Sequence, residues 1–318
     1  MTRVRPTGSW DGAAFAHEGF VFDSDEAVAQ RCVPFAREGL ERDEPVLVVA
    51  GDGVREVLTD ELGADTGRLA LVAPAETWWQ GGQETLRAYD RDLRVLQATG
   101  RPWRLIAEPV WLATGDGRRW SRYEAVANFC YPQMRYYSLC LHDRRVLDSE
   151  TVDAVLRTHP LRWDGNGPEA SPTYQSTTDF LRSVEPAWDA PATDVRTVRV
   201  RDTRAAREHV RAVTERTPGP RVSDWAVDNV VLAVHELVAN ALRAAGEATL
   251  SSWADDGRAV WEVSDSGAGF HDRTAGYAPP DETNLVGGRG LWLARRLADD
   301  ATVREGGPGT AIRLYFRH

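Results

Sequence analysis

The sequence contains no lysine, so all 38 of its basic residues are arginines. These arginines are outnumbered by 48 acidic residues, which leaves a formal net charge of −10 and an isoelectric point near 5.3. A protein that binds nucleic acid mainly through phosphate contacts presents a basic surface. The charge balance therefore argues against nucleic acid as a direct partner of this chain.

Cysteine is also scarce. The chain has Cys32, Cys130 and Cys140, and none of them forms a CxxC pair. Such a set predicts neither a disulfide framework nor a zinc site. Buried, reduced thiols are the expected state, and a redox role for Cys130 and Cys140 is the alternative.

Long apolar stretches are missing as well. No run approaches the ~18 apolar residues of a membrane-spanning helix. The N-terminal segment has arginines but no long apolar core after them, so it is a poor signal peptide. We therefore expect a cytoplasmic protein without a membrane partner.

The chain of 318 residues is long enough for two domains of ordinary size. Strand-like and helix-like segments alternate in its first half, and the apolar run PVLVVA at residues 45–50 is typical of a strand buried on both faces. This alternation predicts an α/β domain with a mainly parallel sheet over residues 10–160. Residues 161–193 are rich in proline, glycine, serine and threonine, which predicts a linker.

Residues 194–318 follow a different order. A strand precedes two helices, and a hairpin that turns at residues 255–257 comes next, before a third helix and two more strands. This order predicts an α+β sandwich, with helices packed on an antiparallel sheet.

The first of four candidate boxes, ExxxNA, lies on the second of these helices. Glu236 and Asn240 are four residues apart, which places the carboxylate and the amide on one helix face. Oxygen ligands of this kind suit Mg²⁺, and a carboxylate can hold or deprotonate a water bound to the ion. Taken alone, ExxxN is common, and the pair is more typical of a solvated helix face.

The second box, DSGAG, follows a predicted strand. Asp265 can accept a hydrogen bond from an exocyclic amine such as that of adenine, and Gly267 and Gly269 let the backbone approach a planar ligand closely. A simple turn after a strand is the competing interpretation.

The third and fourth boxes are short and glycine-rich. GGRGL contains Gly288, Gly290 and Leu291 and opens a predicted helix, whose N-terminus would offer N–H groups and a favourable dipole to phosphates. Gly309 and Thr310 begin the last predicted strand. Each box is weak alone, but the order and spacing of all four are specific.

In this order the boxes resemble those of the GHKL (Bergerat) ATPases, and the resemblance covers the whole C-terminal domain. It implies that the domain binds Mg·ATP, with Asn240 as the Mg²⁺ ligand and Asp265 on the adenine. It also implies a mobile lid over residues 271–286. The residues that would line the nucleotide are Gly267, Gly269, Gly288, Gly290, Leu291, Gly309 and Thr310.

Within that family, the compact domain and short lid resemble the anti-sigma-factor serine kinases of the RsbW/SpoIIAB type. This resemblance implies two partners, a sigma factor and a STAS-domain anti-anti-sigma protein, together with a homodimer. It also implies that Glu236 is the catalytic general base for a serine or threonine hydroxyl. Such kinases often carry a histidine soon after the asparagine, where this chain has Arg243, and this departure bears on the partner contacts.

His235, directly before Glu236, resembles the phosphoacceptor of a histidine kinase. A histidine on the helix that holds Mg²⁺ is badly placed as the phosphate target, and the region before Val195 leaves no room for a separate acceptor hairpin. A non-catalytic, ATP-dependent binding switch and an atypical histidine kinase stay open as alternatives.

The N-terminal segments HEGFVF, WRLIAEPVW and RYEAVANF resemble the MEDS domain of DcmR-type sensors. This resemblance implies a RecA-like core without a working phosphate loop, and the turn after PVLVVA indeed lacks GxxxxGK[ST]. It also implies a sensory task, for which a small-ligand pocket would use aromatic and ionisable groups. The candidates are His17, Trp78, Trp79, Glu108, Trp111 and Tyr123, although core packing would also explain the aromatics. His17 and Glu108 alone are too few to predict a metal site.

Overall fold

A computed structural model describes residues 10–77, 93–113, 117–184, 188, 194–216, 224–255, 257–269, 272–278, 289–304 and 309–317. The chain divides into two compact units, Met1–Val184 and Glu185–His318. The first is an α/β unit with a mainly parallel sheet and the second is an α+β unit with an antiparallel sheet. Both fold-class predictions are confirmed.

A seven-stranded sheet forms the centre of the first unit. Its strands are β1 (Ala16–Phe22), β2 (Val46–Val49), β3 (Ala70–Val72), β4 (Trp103–Ala107), β5 (Tyr136–Asp143), β6 (Leu161–Trp163) and β7 (Pro168–Ala170). They are hydrogen-bonded in the order β3-β2-β4-β5-β1-β6-β7. All the pairs are parallel except β6–β7.

Helices connect these strands. They are α1 (Asp25–Glu41), α2 (Asp52–Leu62), α3 (Pro74–Thr77), α4 (Gly117–Cys130), α5 (Ser149–Thr158) and α6 (Thr177–Val184), with 3₁₀ turns at Gly63–Arg68 and Val110–Ala113. Residues 93–97 are also helical.

Side-chain caps fix where two of these helices begin. Ser24 caps α1, because its hydroxyl accepts a hydrogen bond from the Ala27 N–H at 3.2 Å. Asp148 caps α5 in the same way through the Thr151 N–H at 2.7 Å. An oxygen at this position satisfies an N–H that has no partner within the helix.

Successive side chains of β1 and β5 point to opposite faces of the sheet. One face packs against α1 and α2, and its core includes Phe20, Leu139 and Leu141. On the other face, β1 carries His17. Cys140 of β5 lies on the same face, opposite Gly19, which is two residues from His17 along β1. This second face is therefore unusually rich in polar groups for the interior of a domain.

Residues 161–184 do not form the predicted linker. β6 pairs with β1, and α6 packs on α4, where Phe180 is buried against Ala125 and Ala154. The Thr177 hydroxyl also donates to the Ala125 carbonyl at 2.8 Å. The linker prediction was wrong over this stretch, because its proline and glycine serve tight turns between short, ordered elements. Of residues 185–193, only Trp188 is described.

The second unit has five strands, β8 (Arg196–Val200), β9 (Ala248–Asp255), β10 (Arg258–Ser264), β11 (Asp300–Val303) and β12 (Ala311–Arg317). They pair antiparallel in the order β11-β12-β10-β9-β8. Its helices are α7 (Thr203–Arg216), α8 (Asp224–Ala245) and α9 (Arg289–Leu297).

Helix α8 buries one stripe of apolar side chains in the core of this unit. Val234, Leu237 and Ala241 recur at helical spacing and pack in one cluster with Leu250 and Leu314 of the sheet. The remaining face of α8 carries half-buried polar residues. Among the helices that the structure describes, none combines the length and apolar character needed to cross a bilayer.

Candidate functional sites

Glu236 and Asn240 lie one turn apart on α8, on the face that is not packed in the core, and both are half-buried. The helical placement predicted from the ExxxN spacing is confirmed. Arg243, a further three residues along, donates a hydrogen bond to the Asn240 side-chain oxygen. The amide oxygen predicted as an ion ligand therefore already accepts one hydrogen bond, from an exposed arginine.

The first turn of α9 lies directly against this pair. A Cβ placed on Gly290 would be 3.0 Å from Glu236 Oε2 and 3.1 Å from Asn240 Nδ2. A side chain at this position would force the two polar groups to move by a few tenths of an ångström. A carboxylate, an amide and a helix N-terminus are therefore brought together, a combination that suits a metal-bound phosphate.

Asp265 follows β10 and organises the second part of the site. Its Oδ1 accepts a hydrogen bond from the Gly267 N–H at 2.8 Å, and its own N–H donates to the Thr310 carbonyl at 2.9 Å. Gly309 has φ +82°, and a Cβ there would be only 1.8 Å from the Asp265 carbonyl oxygen. The second and fourth boxes thus form one tightly packed structure, in which Gly309 is obligatory.

The two parts of this site meet at Gly267, where an added Cβ would be 3.1 Å from Ala244 Cβ at the end of α8. Leu291 is buried, and Gly276 packs on it so closely that a Cβ would be 2.7 Å from Leu291 Cγ. Gly276 belongs to the described part of the predicted lid, residues 272–278. Gly269 adopts φ +92° at the end of the second box. Gly288 and the rest of the predicted lid lie outside the described residues.

In the first unit, Glu108 lies just past the carboxyl end of β4. Its Oε2 accepts a hydrogen bond at 2.8 Å from the N–H of Gly51, the residue that caps α2. Burial raises the pKa of Glu108 above its usual value. The N-terminus of α2, where a phosphate loop would bind its anion, is therefore occupied by a carboxyl group of the protein itself.

Trp111 and Tyr123 are buried and pack edge to face, with ring centroids 6.5 Å apart. The Tyr123 hydroxyl also accepts a hydrogen bond from Arg122 Nη2 at 3.3 Å. These contacts match the core packing that was the alternative to a ligand pocket. Trp78 and Trp79 lie outside the described residues.

His17 belongs to a polar cluster that the sequence did not predict. Its Nε2 lies 3.3 Å from Cys140 Sγ and 3.8 Å from Glu124 Oε2, and His159 Nε2 lies 3.7 Å from the same carboxylate oxygen. All four residues are buried, with exposures of 9% or less. We call His17, Glu124, Cys140 and His159 the HECH cluster.

Burial dominates the protonation of the HECH cluster. It lowers the pKa of His17 well below its usual value and that of His159 to about 4. It raises the pKa of Glu124 to about 7 and that of Cys140 well above its usual value. Without a bound charge, burial therefore favours the uncharged form of every member of the cluster.

Comparison with known protein families matches the two units separately. A model described as MEDS, the methanogen/methylotroph DcmR sensory domain, matches residues 16–160. A model described as a histidine kinase-like ATPase domain matches residues 197–316. A search of curated proteins finds no match to the chain.

Proposed function

We propose that this chain, which joins a MEDS sensory domain to a histidine kinase-like ATPase domain, is a signal-responsive protein kinase that regulates a sigma factor. It binds Mg·ATP, phosphorylates a serine or threonine of a STAS-domain anti-anti-sigma protein, and binds the sigma factor itself. The observation that carries the proposal is the close approach of Gly290, at the start of α9, to both Glu236 and Asn240. We further propose that it acts in the cytoplasm as a homodimer.

The residues at this site fit a magnesium–nucleotide complex. Asn240 would offer an amide oxygen to the ion, and the first turn of α9, a helix N-terminus that suits phosphate, lies close to the same residue, where Gly290 has no side chain to fill the space. Asp265, held in place by Gly267 and Thr310, would accept the adenine amine. The bound ATP supplies the phosphoryl group.

Glu236 is proposed as the general base. Its carboxylate lies next to Asn240 on the half-buried face of α8, and it can accept the proton of a serine or threonine hydroxyl brought to the site. The role of Glu236 differs from that of Asn240, because removing a base should spare nucleotide binding while removing an ion ligand should not.

The helices upstream of β8 favour transfer to another protein over transfer to a histidine of this chain. In the described residues, the helix that precedes β8 is α6, which has eight residues and packs on α4 of the first unit. A histidine kinase needs a long acceptor hairpin in this place. His235 itself lies on α8 beside Glu236, on the helix proposed to hold the ion.

The test uses the full chain, Mg·ATP and each STAS-domain protein encoded in the same genome. We expect acid-stable phosphate on a serine or threonine of one of them, identified by mass spectrometry. Glu236→Gln should abolish transfer while the ATP dissociation constant, measured by calorimetry, changes little. The control is Glu208→Gln, an exposed carboxylate on α7 that should leave both quantities unchanged.

Other outcomes of this experiment identify other functions. A stable, ATP-dependent complex with a STAS protein or sigma factor, without phosphate transfer, would make the protein a non-catalytic switch. Acid-labile phosphate on the chain itself would make it an atypical histidine kinase. Either result would overturn the serine/threonine kinase proposal.

A further inference from the structure

The HECH cluster brings together donor atoms from four separate elements of the N-terminal unit. His17 lies on β1, Glu124 on α4 and Cys140 on β5, while His159 follows the end of α5. One imidazole nitrogen, one carboxylate oxygen or one sulfur from each residue lies within 4.8 Å of all the others. A gap of this size has room for a single ion but not for an organic molecule.

The two histidines are oriented by partners on the far side of their rings. His17 Nδ1 lies 3.0 Å from Asn128 Oδ1, and His159 Nδ1 lies 2.7 Å from the Val155 carbonyl oxygen. Both partners are acceptors, so they favour a proton on Nδ1 and leave the lone pair of Nε2 directed into the cluster. This is how histidines that bind metals are usually held.

His159 Nε2 gives a second, independent indication of a ligand. This buried nitrogen has no hydrogen-bond partner among the described residues, and the Glu124 carboxylate lies 3.7 Å from it. The histidine is 1% exposed. A buried polar atom without a partner is costly, so its presence needs an explanation.

The spacing and the charge of the donors both match a divalent ion. Tetrahedral ligands at about 2.0–2.2 Å for nitrogen and oxygen and about 2.3 Å for sulfur lie roughly 3.3–3.7 Å from one another. Three of the six separations are 3.3, 3.7 and 3.8 Å, and none of the six exceeds 4.8 Å. A carboxylate and a thiolate with two neutral imidazoles would neutralise a 2+ ion, which a buried site requires.

The backbone also makes room for this arrangement. Gly19 of β1 lies beside the His159 ring, and a Cβ at Gly19 would be 2.8 Å from His159 Cγ. A side chain on Gly19 would therefore push the imidazole away from its present position.

We propose that His17, Glu124, Cys140 and His159 bind a divalent transition-metal ion of the zinc type inside the MEDS domain. Asn128 acts as a positioning residue for His17. Mixed thiolate, imidazole and carboxylate ligands favour such an ion over Mg²⁺ or Ca²⁺, which prefer oxygen alone. The proposal does not depend on the nucleotide site of the second domain.

The test begins with the full chain, expressed without a polyhistidine tag in medium supplemented with zinc or with cobalt, since a buried site could exchange slowly. We expect stoichiometric metal after gel filtration, measured by elemental mass spectrometry. The cobalt protein should show a thiolate-to-cobalt charge-transfer band and the visible bands of a tetrahedral ion. A metal-free protein from both media would overturn the proposal.

Matched substitutions then locate the site. Cys140→Ser should remove the thiolate-to-cobalt band, whereas Cys130→Ser, at a partly exposed thiol, should keep it. His159→Gln should lose the metal, whereas His142→Gln should retain it, because His142 is an equally buried neighbour outside the HECH cluster. Circular dichroism shows which variants are folded.

The wild-type cobalt spectrum needs no variant, so it tests thiolate ligation even if Cys140→Ser does not fold. Asn128→Ala should weaken zinc binding roughly 10–100-fold in a chelator competition, as the loss of an outer hydrogen bond does in other zinc sites. A charge-transfer band that persists in folded Cys140→Ser, or one that disappears in folded Cys130→Ser, would contradict the assignment.

Discussion

The polar groups of the HECH cluster are buried between a sheet and two helices, whereas those of the C-terminal site are half-buried, on the open face of a helix and just after a strand. The HECH cluster is at least nine-tenths buried, and its members lie on β1, α4 and β5 and just after α5. Glu236, Asn240 and Asp265 remain partly open to solvent. The C-terminal site is therefore accessible from solvent, while only an ion fits among the donor atoms of the HECH cluster.

The difference shows two ways of fixing a functional side chain. In the C-terminal unit, glycines let backbone segments come close to the polar groups, so the turns that contain these glycines determine the positions of the polar side chains. In the N-terminal unit, the precision comes from the sheet register and from hydrogen bonds on the far side of each imidazole. We therefore expect substitutions of glycines in the turns to damage the C-terminal site. The HECH cluster should instead be damaged by substitutions that remove or displace one of its side chains.

The largest loss of stability should come from Gly309→Ala. This substitution tests whether a half-exposed site can tolerate an added side chain as poorly as a buried site does. The new Cβ would lie 1.8 Å from the Asp265 carbonyl oxygen, and backbone cannot yield as a flexible side chain can. We expect a loss of ~4 kcal/mol or more in unfolding free energy, the range of exceptional single substitutions. Thermal unfolding followed by circular dichroism measures it.

Gly257→Ala is the matched control, because Gly257 also has positive φ, +71°, but nothing lies within 4 Å of its Cβ position. It should lose only about 1–2 kcal/mol, the cost of the left-handed conformation alone. Equal losses for the two variants would show that the contact with Asp265 is unimportant.

The proposed nucleotide site could be predicted from the sequence because its residues fall in short boxes. Glu236 and Asn240 are one helical turn apart, and Asp265 is two residues from Gly267, so local spacing already reports their proximity. What the sequence could not report was the contact between boxes. Gly290 against Glu236 and Gly309 against Asp265 are long-range approaches that depend on the packing of α9 and β12.

The HECH cluster escaped prediction for the opposite reason. His17 and Cys140 are 123 positions apart, and only the parallel register of β1 with β5 places them on one face. Alternation was a usable signal, because His17 and Gly19 share one parity in β1 and Ser138, Cys140 and His142 share one in β5. That signal required knowing that these two strands are neighbours, which the chain order conceals.

Composition misled the interpretation of residues 161–184 as a linker. Proline and glycine near β6 and β7 mark turns of an edge hairpin, and Phe180 and Leu181 of α6 are buried apolar residues within a mostly polar stretch. Two adjacent anchors are too few to distinguish a docked helix from a linker by periodicity.

The second-largest loss of stability should come from Glu18→Gln. Glu18 lies on the face of the sheet opposite the HECH cluster, so this substitution allows the two buried polar faces to be compared. There Glu18 binds Arg31 through two hydrogen bonds of 2.6 and 2.8 Å, and both side chains are buried. The substitution leaves a buried guanidinium without its counter-charge. We expect a loss of about 3–5 kcal/mol in unfolding free energy, measured by urea denaturation.

Glu169→Gln provides the control, because its ion pair with Arg162 is about 40% exposed on both sides. Exposed pairs contribute less than about 1 kcal/mol. If Glu18→Gln lowered the unfolding free energy by no more than this, leaving a buried polar group in this unit without its partner would cost little stability. The orphaned nitrogen of His159 would then lose its significance as a sign of a missing ligand.

A smaller effect should follow from Gly19→Ala, which alters the HECH cluster without removing any of its members. The added methyl group would lie 2.8 Å from His159 Cγ and displace the ring. We expect a loss of about 1–3 kcal/mol, typical of overpacking, together with loss of the bound metal. Urea denaturation and elemental analysis of the same preparation report both.

Gly53→Ala is the control for this change. Gly53 lies within α2 and has nothing within 4 Å of its Cβ position, so alanine there should be neutral or stabilising by up to ~1 kcal/mol. A Gly19→Ala protein that kept stoichiometric zinc would show that the His159 position is not needed for binding.

The smallest effect on stability, but a specific one on function, should come from Gly290→Ala. Its Cβ would meet the ends of two side chains, Glu236 Oε2 at 3.0 Å and Asn240 Nδ2 at 3.1 Å, and these can move by a few tenths of an ångström. Folding should therefore be preserved, while the ion ligand and the base are shifted. We expect ATP to bind about tenfold more weakly, a change of about 1.4 kcal/mol measured by calorimetry.

Gly257→Ala serves again as the control for Gly290→Ala, at the opposite end of β10 from Asp265. It should lower the melting temperature and leave the ATP affinity unchanged, whereas Gly290→Ala should do the reverse. These opposite results would show that the close approach of α9 to α8 is needed for ligand binding rather than for folding. If Gly290→Ala instead lost stability and affinity together, the glycine would be a packing requirement, and the contrast between the two kinds of site would not hold.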